Sequence, residues 1–155
     1  METIRESIEV DVPISTAYNQ WTQFEEFPQF MEGVESVKQL DDTHLHWVAE
    51  IGGKRREWQA EIVEQKPDQK IAWHAVDGNG PNGVVEFEQL GEDKTLITVE
   101  MAYEPEGVTE QLGAKVGIDS RQVGRDLERF KQLIESRGVE SGAWRGEVHA
   151  GERER

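Results

Sequence analysis

The chain has 155 residues, contains no cysteine and carries a formal net charge of −15. A domain of this length buries about two-thirds of its unfolded surface, so one core can form without cross-links. The lack of cysteine excludes disulfides, thiolate metal ligands and a cysteine nucleophile, and it suits a reducing cytosol. The net negative charge repels phosphate backbones, so we expect no nucleic acid partner.

The first residues do not combine a basic segment with an apolar one, so no signal peptide is predicted. No apolar run approaches the roughly 18 residues that are needed to cross a bilayer. We therefore expect a cytoplasmic protein without an integral membrane segment. No pattern in the sequence indicates its oligomeric state.

The first predicted elements are one strand and two short helices. Apolar and polar side chains alternate over residues 3–12, which is the period of a half-buried strand. Pro13 ends this strand, and Ser15 is expected to cap a short helix. Pro28 then limits the aromatic segment 24–31 to one or two helical turns.

Six strand-like segments follow, separated by turn signals. Gly52-Gly53 predicts a hairpin between the strands that flank it, and residues 77–83 predict a loop. The six segments are residues 34–40, 44–51, 54–63, 70–76, 84–90 and 95–103. Their short spacing predicts an antiparallel meander.

A long helical segment is predicted from Pro105 to Gly138. We expect Gly117 to bend it, and Asp119 with Gln122 to form a capping box that restarts it. Its apolar side chains fall within one stripe of roughly 120°. They are Val108, Leu112, Val116, Val123, Leu127, Phe130, Leu133 and Ile134.

Strands that are grouped together, with helices at the ends, predict an α+β fold. In this prediction a curved antiparallel sheet of about seven strands is covered on one face by the long helix. Residues 1–138 are expected to form one ligand-binding domain. The Gly- and Glu-rich residues 139–155 are expected to form a flexible acidic tail, with Trp144 as its aromatic side chain.

Neither a nucleotide site nor a metal site is predicted. Gly52-Gly53 and Gly78-Asn79-Gly80 lie between antiparallel strands, and no helix follows them to hold a phosphate. His44 and His46 share one face of a strand, a spacing that some metal sites use. Their face is the polar one and no third ligand is in sight, which favours solvated histidines. We therefore expect no metal and no cofactor.

Two carboxylates interrupt apolar patterns, Glu6 in the first strand and Glu100 in the last. An isolated buried carboxylate is costly and often functional. A salt-bridged or strand-edge position is the commoner explanation, so neither residue is assigned a catalytic role.

Three tryptophans, Trp47, Trp58 and Trp73, occupy successive strands with apolar neighbours two residues away. This parity places all three on the side of the sheet that faces the long helix. A close-packed aromatic core and a ligand cavity explain the pattern about equally well. Arg56 shares the parity of Trp58, so it is either the charged group of such a cavity or a solvated group at the sheet edge.

The sequence resembles the START-like superfamily, also called SRPBCC proteins, and within it the polyketide cyclase/dehydrase and lipid-transport group. The shared features are a strand ending at Pro13, a helix bearing Trp21 and a Phe27-Pro28 segment. The matching segments are residues 8–13, 17–21, 24–31, 61–62, 67–68, 71–73 and 126–131. The resemblance spans roughly residues 3–138 and implies a helix-grip fold, in which the sheet wraps the C-terminal helix around an apolar cavity.

The resemblance implies three functions and transfers no catalytic residue to this chain. The first is binding or transport of a small hydrophobic molecule, such as a lipid, a quinone or a polyketide-like compound. The second is a cyclase/dehydrase enzyme in which Arg56, Tyr103 or a buried carboxylate moves protons. The third is a protein-interaction module anchored by Trp144. The predicted ligand-binding residues are Trp47, Arg56, Trp58, Trp73, Phe87, Met101, Tyr103 and Leu127.

Overall fold

The computed structural model describes residues 2–51, 54–76, 81–103, 120–149 and 152–154. Its strands are β1 Glu2–Val10, β2 Val34–Gln39, β3 His44–Ile51, β4 Lys54–Lys66, β5 Lys70–Ala75, β6 Asn82–Gly91, β7 Lys94–Tyr103, β8 Glu147–His149 and β9 Glu152–Glu154. Its helices are α1 Ile14–Trp21, a 3₁₀ helix Phe24–Gln29 and α2 Ser120–Arg137.

Seven of the strands form one curled antiparallel sheet in the order β1-β7-β6-β5-β4-β3-β2. The meander from β2 to β7 follows the chain, and β1 then pairs with β7 from Glu2↔Tyr103 to Val10↔Thr95. The sheet is a half-barrel with α2 and the short helices packed with it, so the predicted α+β helix-grip fold is confirmed. The curvature of the sheet gives it one buried face, on which the core collects.

The start of α1 differs from the prediction. The helix begins at Ile14 after an extended Pro13, and no side chain caps it. Ser15 therefore lies inside the first turn rather than at the cap. Pro13 is the N-cap residue and has no side-chain acceptor to offer the first helical N–H groups. Pro28 does confine the next segment to the short 3₁₀ helix.

The C-terminal helix ends where the sequence predicts. Gly138 has a φ of +73°, a left-handed conformation that glycine adopts without steric cost. Its N–H donates to the carbonyl of Ile134 over 2.8 Å. The buried face of α2 carries Val123, Leu127 and Phe130 together with Ile134, as the predicted stripe requires. The part of the predicted helix at residues 105–119, including the bend and the restart, lies outside the described residues.

Residues 139–149, here called the C-terminal arm, cross α1 and reach the sheet. Asn19 Nδ2 donates to Glu140 Oε2 over 2.8 Å, and the Trp144 N–H donates to Thr22 Oγ1 over 3.1 Å. The arm ends in β8, where Val148 pairs opposite Gln65 of β4. These contacts were not predicted. The division into a domain and a separate flexible tail concerns how the tail moves, and it stays a prediction. The contacts show which surfaces the arm covers.

The arm explains why α1 is covered on all sides. Thr16, Asn19 and Gln20 are polar yet buried, and the side chains of Asn19 and Gln20 donate hydrogen bonds to the arm. Gln20 Oε1 accepts a hydrogen bond from the Ser141 N–H over 2.9 Å, so the arm satisfies polar groups that it buries. None of the helices within the described ranges is long and apolar enough to cross a lipid bilayer.

Candidate functional site

The three tryptophans of the predicted site form a stack on the buried face of the sheet. The Trp47 and Trp58 rings lie 5.7 Å apart at 7°, and Trp47 and Trp73 lie 5.9 Å apart at 24°. Each of the three residues is only 4% exposed. Trp47 and Trp58 are direct cross-strand partners, which brings their rings together. The prediction that the three indoles share the buried face is confirmed.

A chain of aromatic contacts joins this stack to α2. Phe27 packs on Trp47 at 5.6 Å and on Phe30 at 5.6 Å. Phe30 in turn packs on Phe130 of α2 at 5.1 Å, with a T-shaped geometry that aromatic pairs favour. The 3₁₀ helix therefore lies between the tryptophan stack and the helix.

Two N–H groups of the stack are buried and unsatisfied. Nε1 of Trp47 and Nε1 of Trp58 have no hydrogen-bond partner within the part of the chain that the structure describes. Buried indole N–H groups usually find an acceptor. A molecule with a carbonyl or hydroxyl oxygen, placed against the stack, can supply one.

The other predicted site residues differ in how deeply they are buried. Phe87 and Leu127 belong to the same buried cluster as the tryptophans, and Met101 is half-buried against it. Arg56 is half-buried on β4, opposite Ala49 of β3. Tyr103 ends β7, but its side chain lies outside the described residues.

A polar cluster that sequence reasoning missed lies behind Phe87. The ring of Tyr18 meets that of Phe87 at 5.3 Å, and the Arg145 guanidinium lies over the Tyr18 ring at 5.5 Å. Arg145 also contacts Asp68 Oδ2 at 2.8 Å and donates to Asn19 Oδ1 over 2.7 Å. The arm thus brings a cation to the buried end of α1.

Tyr18 gives the protein a pH dependence at the alkaline end. Burial raises the pKa of Tyr18 from 10.0 to about 12. Between these values the unfolded chain loses the phenol proton while the folded one keeps it, so stability falls as pH rises. We expect wild type to lose roughly 2–3 kcal/mol more than Tyr18→Phe between pH 9.5 and 12, measured by urea unfolding. Equal losses in the two proteins would contradict a buried phenol.

The histidines lie on the outer face, as predicted. His44 and His46 are half-exposed, and they contact Asp41 at 2.9 Å and Glu57 at 3.1 Å. Glu61 bridges His44 and His74, at 3.8 Å and 3.3 Å. In the described ranges no group of three or more His, Asp or Glu side chains has a metal-binding arrangement.

The two carboxylates that interrupt apolar patterns are both reached by solvent. Glu6 is half-exposed, and its Oε1 lies near the backbone of Gly124 on α2. Glu100 faces outward and lies 4.0 Å from Arg5 on the neighbouring strand. The commoner explanation, an edge or ion-paired position, fits Glu100.

Residues 10–132 match the profile of a family described as polyketide cyclase/dehydrase and lipid transport. An uncharacterised 17.2 kDa protein of Streptomyces lincolnensis is 52% identical over 149 residues, which cover 96% of this chain and 99% of the relative. That relative carries no assigned activity, so its similarity supports the family assignment and indicates no function.

Solved structures support the same fold. A START superfamily protein from Mycobacterium smegmatis, 19% identical, has a TM-score of 0.67 with 87% of this chain and 95% of its own covered. The Zhui aromatase/cyclase from Streptomyces sp. R1128, 15% identical, also has a TM-score of 0.67, with 92% and 99% covered. At these identities the likeness shows the fold alone. Because the family profile matches most of its length, the chain belongs to the polyketide cyclase/dehydrase and lipid-transport family of START-like proteins.

Proposed function

We propose that this protein binds or carries a small hydrophobic molecule against the tryptophan stack, on the face of the sheet that α2 covers, in the cytosol. The observation that carries the proposal is the pair of buried N–H groups on Trp47 and Trp58, which have no acceptor in the described residues. Leaving such a group unpaired costs about 1–3 kcal/mol. A ligand oxygen accepting from an indole would recover that cost.

The ligand class follows from the surfaces that meet at the stack. Flat indole faces favour a planar or extended apolar body, and the N–H groups favour a molecule that also bears oxygen. Lipids, quinones and polyketide-like compounds combine these features. The binding energy would come from burying apolar ligand surface at about 25 cal/mol per Å² before ordering costs.

A fluorescence titration tests this proposal. A neutral dye such as Nile red suits it, because a net charge of −15 would repel an anionic dye. We expect saturable binding to wild type, and loss of binding in Ala60→Phe with little change in melting temperature. Ala60 is fully buried between its strand partners Leu45 and Ala75. Gln59→Phe, which adds the same ring on the outer face, is the control and should bind normally.

A close-packed core gives the opposite result. There the added ring forces its neighbours off their rotamers, at a cost of typically about 1–3 kcal/mol. No dye binding by wild type, together with a large loss of stability in Ala60→Phe and in Ala49→Phe, would contradict the carrier function. Native mass spectrometry of freshly purified protein would identify a retained ligand.

An enzyme of the cyclase/dehydrase type is the second candidate. The family description favours it. In that function the stack would fold a reactive chain, and Arg56 or Tyr103 would move protons. Turnover of the retained ligand would separate the enzyme from the carrier. The interaction-module alternative stays a prediction, and its proposed anchor Trp144 is partly buried against the core.

A further inference from the structure

We propose that the C-terminal arm is a latch, which opens and closes over α1 while the sheet stays folded, and that Arg145 holds it closed. The latch is separate from the tryptophan stack and does not depend on the proposed function. Its support comes from the fit of the arm, the partners of Arg145 and the polar surface that the arm covers.

The arm lies on α1 as an extended chain with a specific fit. From residue 139 to residue 148 the even-numbered positions are partly or fully buried and the odd-numbered ones are exposed. Gly142 and Gly146 flank Trp144 on the buried side. A Cβ on Gly142 would lie 2.6 Å from Gln23 Oε1, and one on Gly146 would lie 2.6 Å from the Trp144 ring. The two glycines therefore let the arm lie close to α1 and let the indole lie against the arm backbone.

Arg145 fastens the arm at its centre. Its guanidinium lies 2.8 Å from Asp68 Oδ2, donates to Asn19 Oδ1 over 2.7 Å and lies over the Tyr18 ring. These partners belong to α1 and to the turn between β4 and β5, so one side chain ties the arm to both. The side chains of Arg145 and Asp68 are 40% and 33% exposed, so dissolved ions can reach the pair and weaken it.

The surface under the arm is polar enough to be exposed at low cost. Asn19 Nδ2 donates to Glu140 over 2.8 Å, and Gln20 Nε2 donates to Ser141 over 3.2 Å. Water can replace both partners when the arm leaves, so these groups lose little free energy. Permanent interfaces are more hydrophobic than ones that form and separate. The closed latch hides the polar side chains of α1, and the open latch presents them to solvent.

The arm lies outside the part of the chain that defines the family fold. The family profile ends at residue 132, before the arm begins. Within the described part of the arm, Val148 is the one side chain that is fully buried, and two residue pairs join β8 to β4. Segments with few buried contacts open at a lower free energy than the whole domain. We therefore expect the arm to open before the sheet does.

Hydrogen exchange of the full chain, followed by NMR, tests the latch. The amides of Ser141 and Trp144 donate to Gln20 Oε1 and Thr22 Oγ1 when the arm is closed, so their protection reports its opening. We expect similar protection factors at these two amides, at least about 10-fold below those of the β6 and β7 amides. Protection as high as in β6 and β7 would mean that the arm opens only with the whole domain. No protection would mean that it does not dock, and either result would overturn the proposal.

Variants of Arg145 test its role as the fastening residue. Arg145→Ala should lower the protection of the two arm amides by about 10-fold or more, because it removes an ion pair, a hydrogen bond and a cation–π contact. The β6 and β7 amides should not change. Arg145→Lys keeps the charge and should fall between the two proteins, and Arg125→Ala, which removes an exposed arginine of α2, is the control. Arm protection that is unchanged in Arg145→Ala would overturn the role of Arg145.

Salt gives the same contrast in wild type if the variant does not fold. Between about 0.01 M and about 1 M NaCl the Debye length falls from about 30 Å to about 3 Å, which screens an exposed ion pair. Arm protection should then fall severalfold while that of β7 stays constant. Equal salt dependence of the arm and β7 amides, or none in either, would contradict a latch held by Arg145 and Asp68.

Discussion

Replacing Phe130 by alanine should lower the free energy of unfolding by about 3–5 kcal/mol. Phe130 is fully buried on α2, where it packs on Trp21 at 5.2 Å and on Phe30 at 5.1 Å. Removal of its ring leaves a cavity between α2 and the aromatic segment that follows β1, which is distant from α2 in the sequence. Urea unfolding followed by tryptophan fluorescence measures the loss.

The exposed Glu128 on the same helix provides the control. Glu128→Ala should change the free energy of unfolding by less than about 0.5 kcal/mol, since surface substitutions seldom do more. Phe130→Leu keeps most of the apolar volume and should fall between the two. A loss below about 1 kcal/mol in Phe130→Ala would mean that α2 is not packed on the aromatic core in solution.

Gly83→Ala should destabilise the protein by about 1–3 kcal/mol through the ring of Trp73. Gly83 is the strand partner of Trp73, and a Cβ on Gly83 would lie 2.4 Å from Cζ2 of that ring. Non-bonded carbon atoms do not approach this closely, so the indole or the backbone beside it must shift. The variant should therefore bind the dye more weakly than wild type and melt at a lower temperature.

Gly91, on the same strand, is the matched control. A Cβ there would lie 3.9 Å from the Lys94 Cβ, an ordinary contact, so Gly91→Ala should be close to neutral. In the Gly83→Ala background, Trp73→Leu should cost less than it does alone, because the smaller side chain relieves the clash. Additive effects of the two changes would contradict a direct contact.

The strands and their buried faces could be predicted because apolar and polar side chains alternate along a strand that has one buried face. The face shared by Trp47, Trp58 and Trp73 follows from their parity, and the outward face of His44 and His46 follows from the same rule. The order of β2 to β7 also follows, since hairpin connections make consecutive strands neighbours. The predicted ligand-binding role of the stack rests on the family resemblance and the unpaired indoles, and it stays a prediction.

The burial of Gln65 could not be predicted, because a bulge changes the parity of β4. The register shifts between Ile62 and Glu64. Before this bulge the even-numbered residues of β4 face inward, and after it an odd-numbered residue does. Simple alternation places Gln65 outside. The three residues of β8 are too few to show any period, and Val148 is the single apolar side chain among them.

The arm also escaped prediction, because its partners are distant in sequence. In the sequence, Arg145 is one more charge in a Gly- and Glu-rich segment. Only the structure shows that α1 and the turn at Asp68 lie beside it. Helix caps, alternation and turn signals are local patterns. A contact across more than a hundred residues has no such pattern in a single sequence.

The position of the arm also governs when the protein can finish folding during synthesis. Asn19 and Glu140, which are hydrogen-bonded to each other, are 121 positions apart in the sequence. In the same way, β1 can pair with β7 only after β7 has been synthesised. Contacts at this separation form slowly because a long loop must close first. The buried face of α1, including Trp21, therefore leaves the ribosome well before its cover exists. Nascent chains therefore expose the aromatic face of α1 until α2 and the C-terminal arm have been synthesised, and exposed apolar surface of this kind favours aggregation.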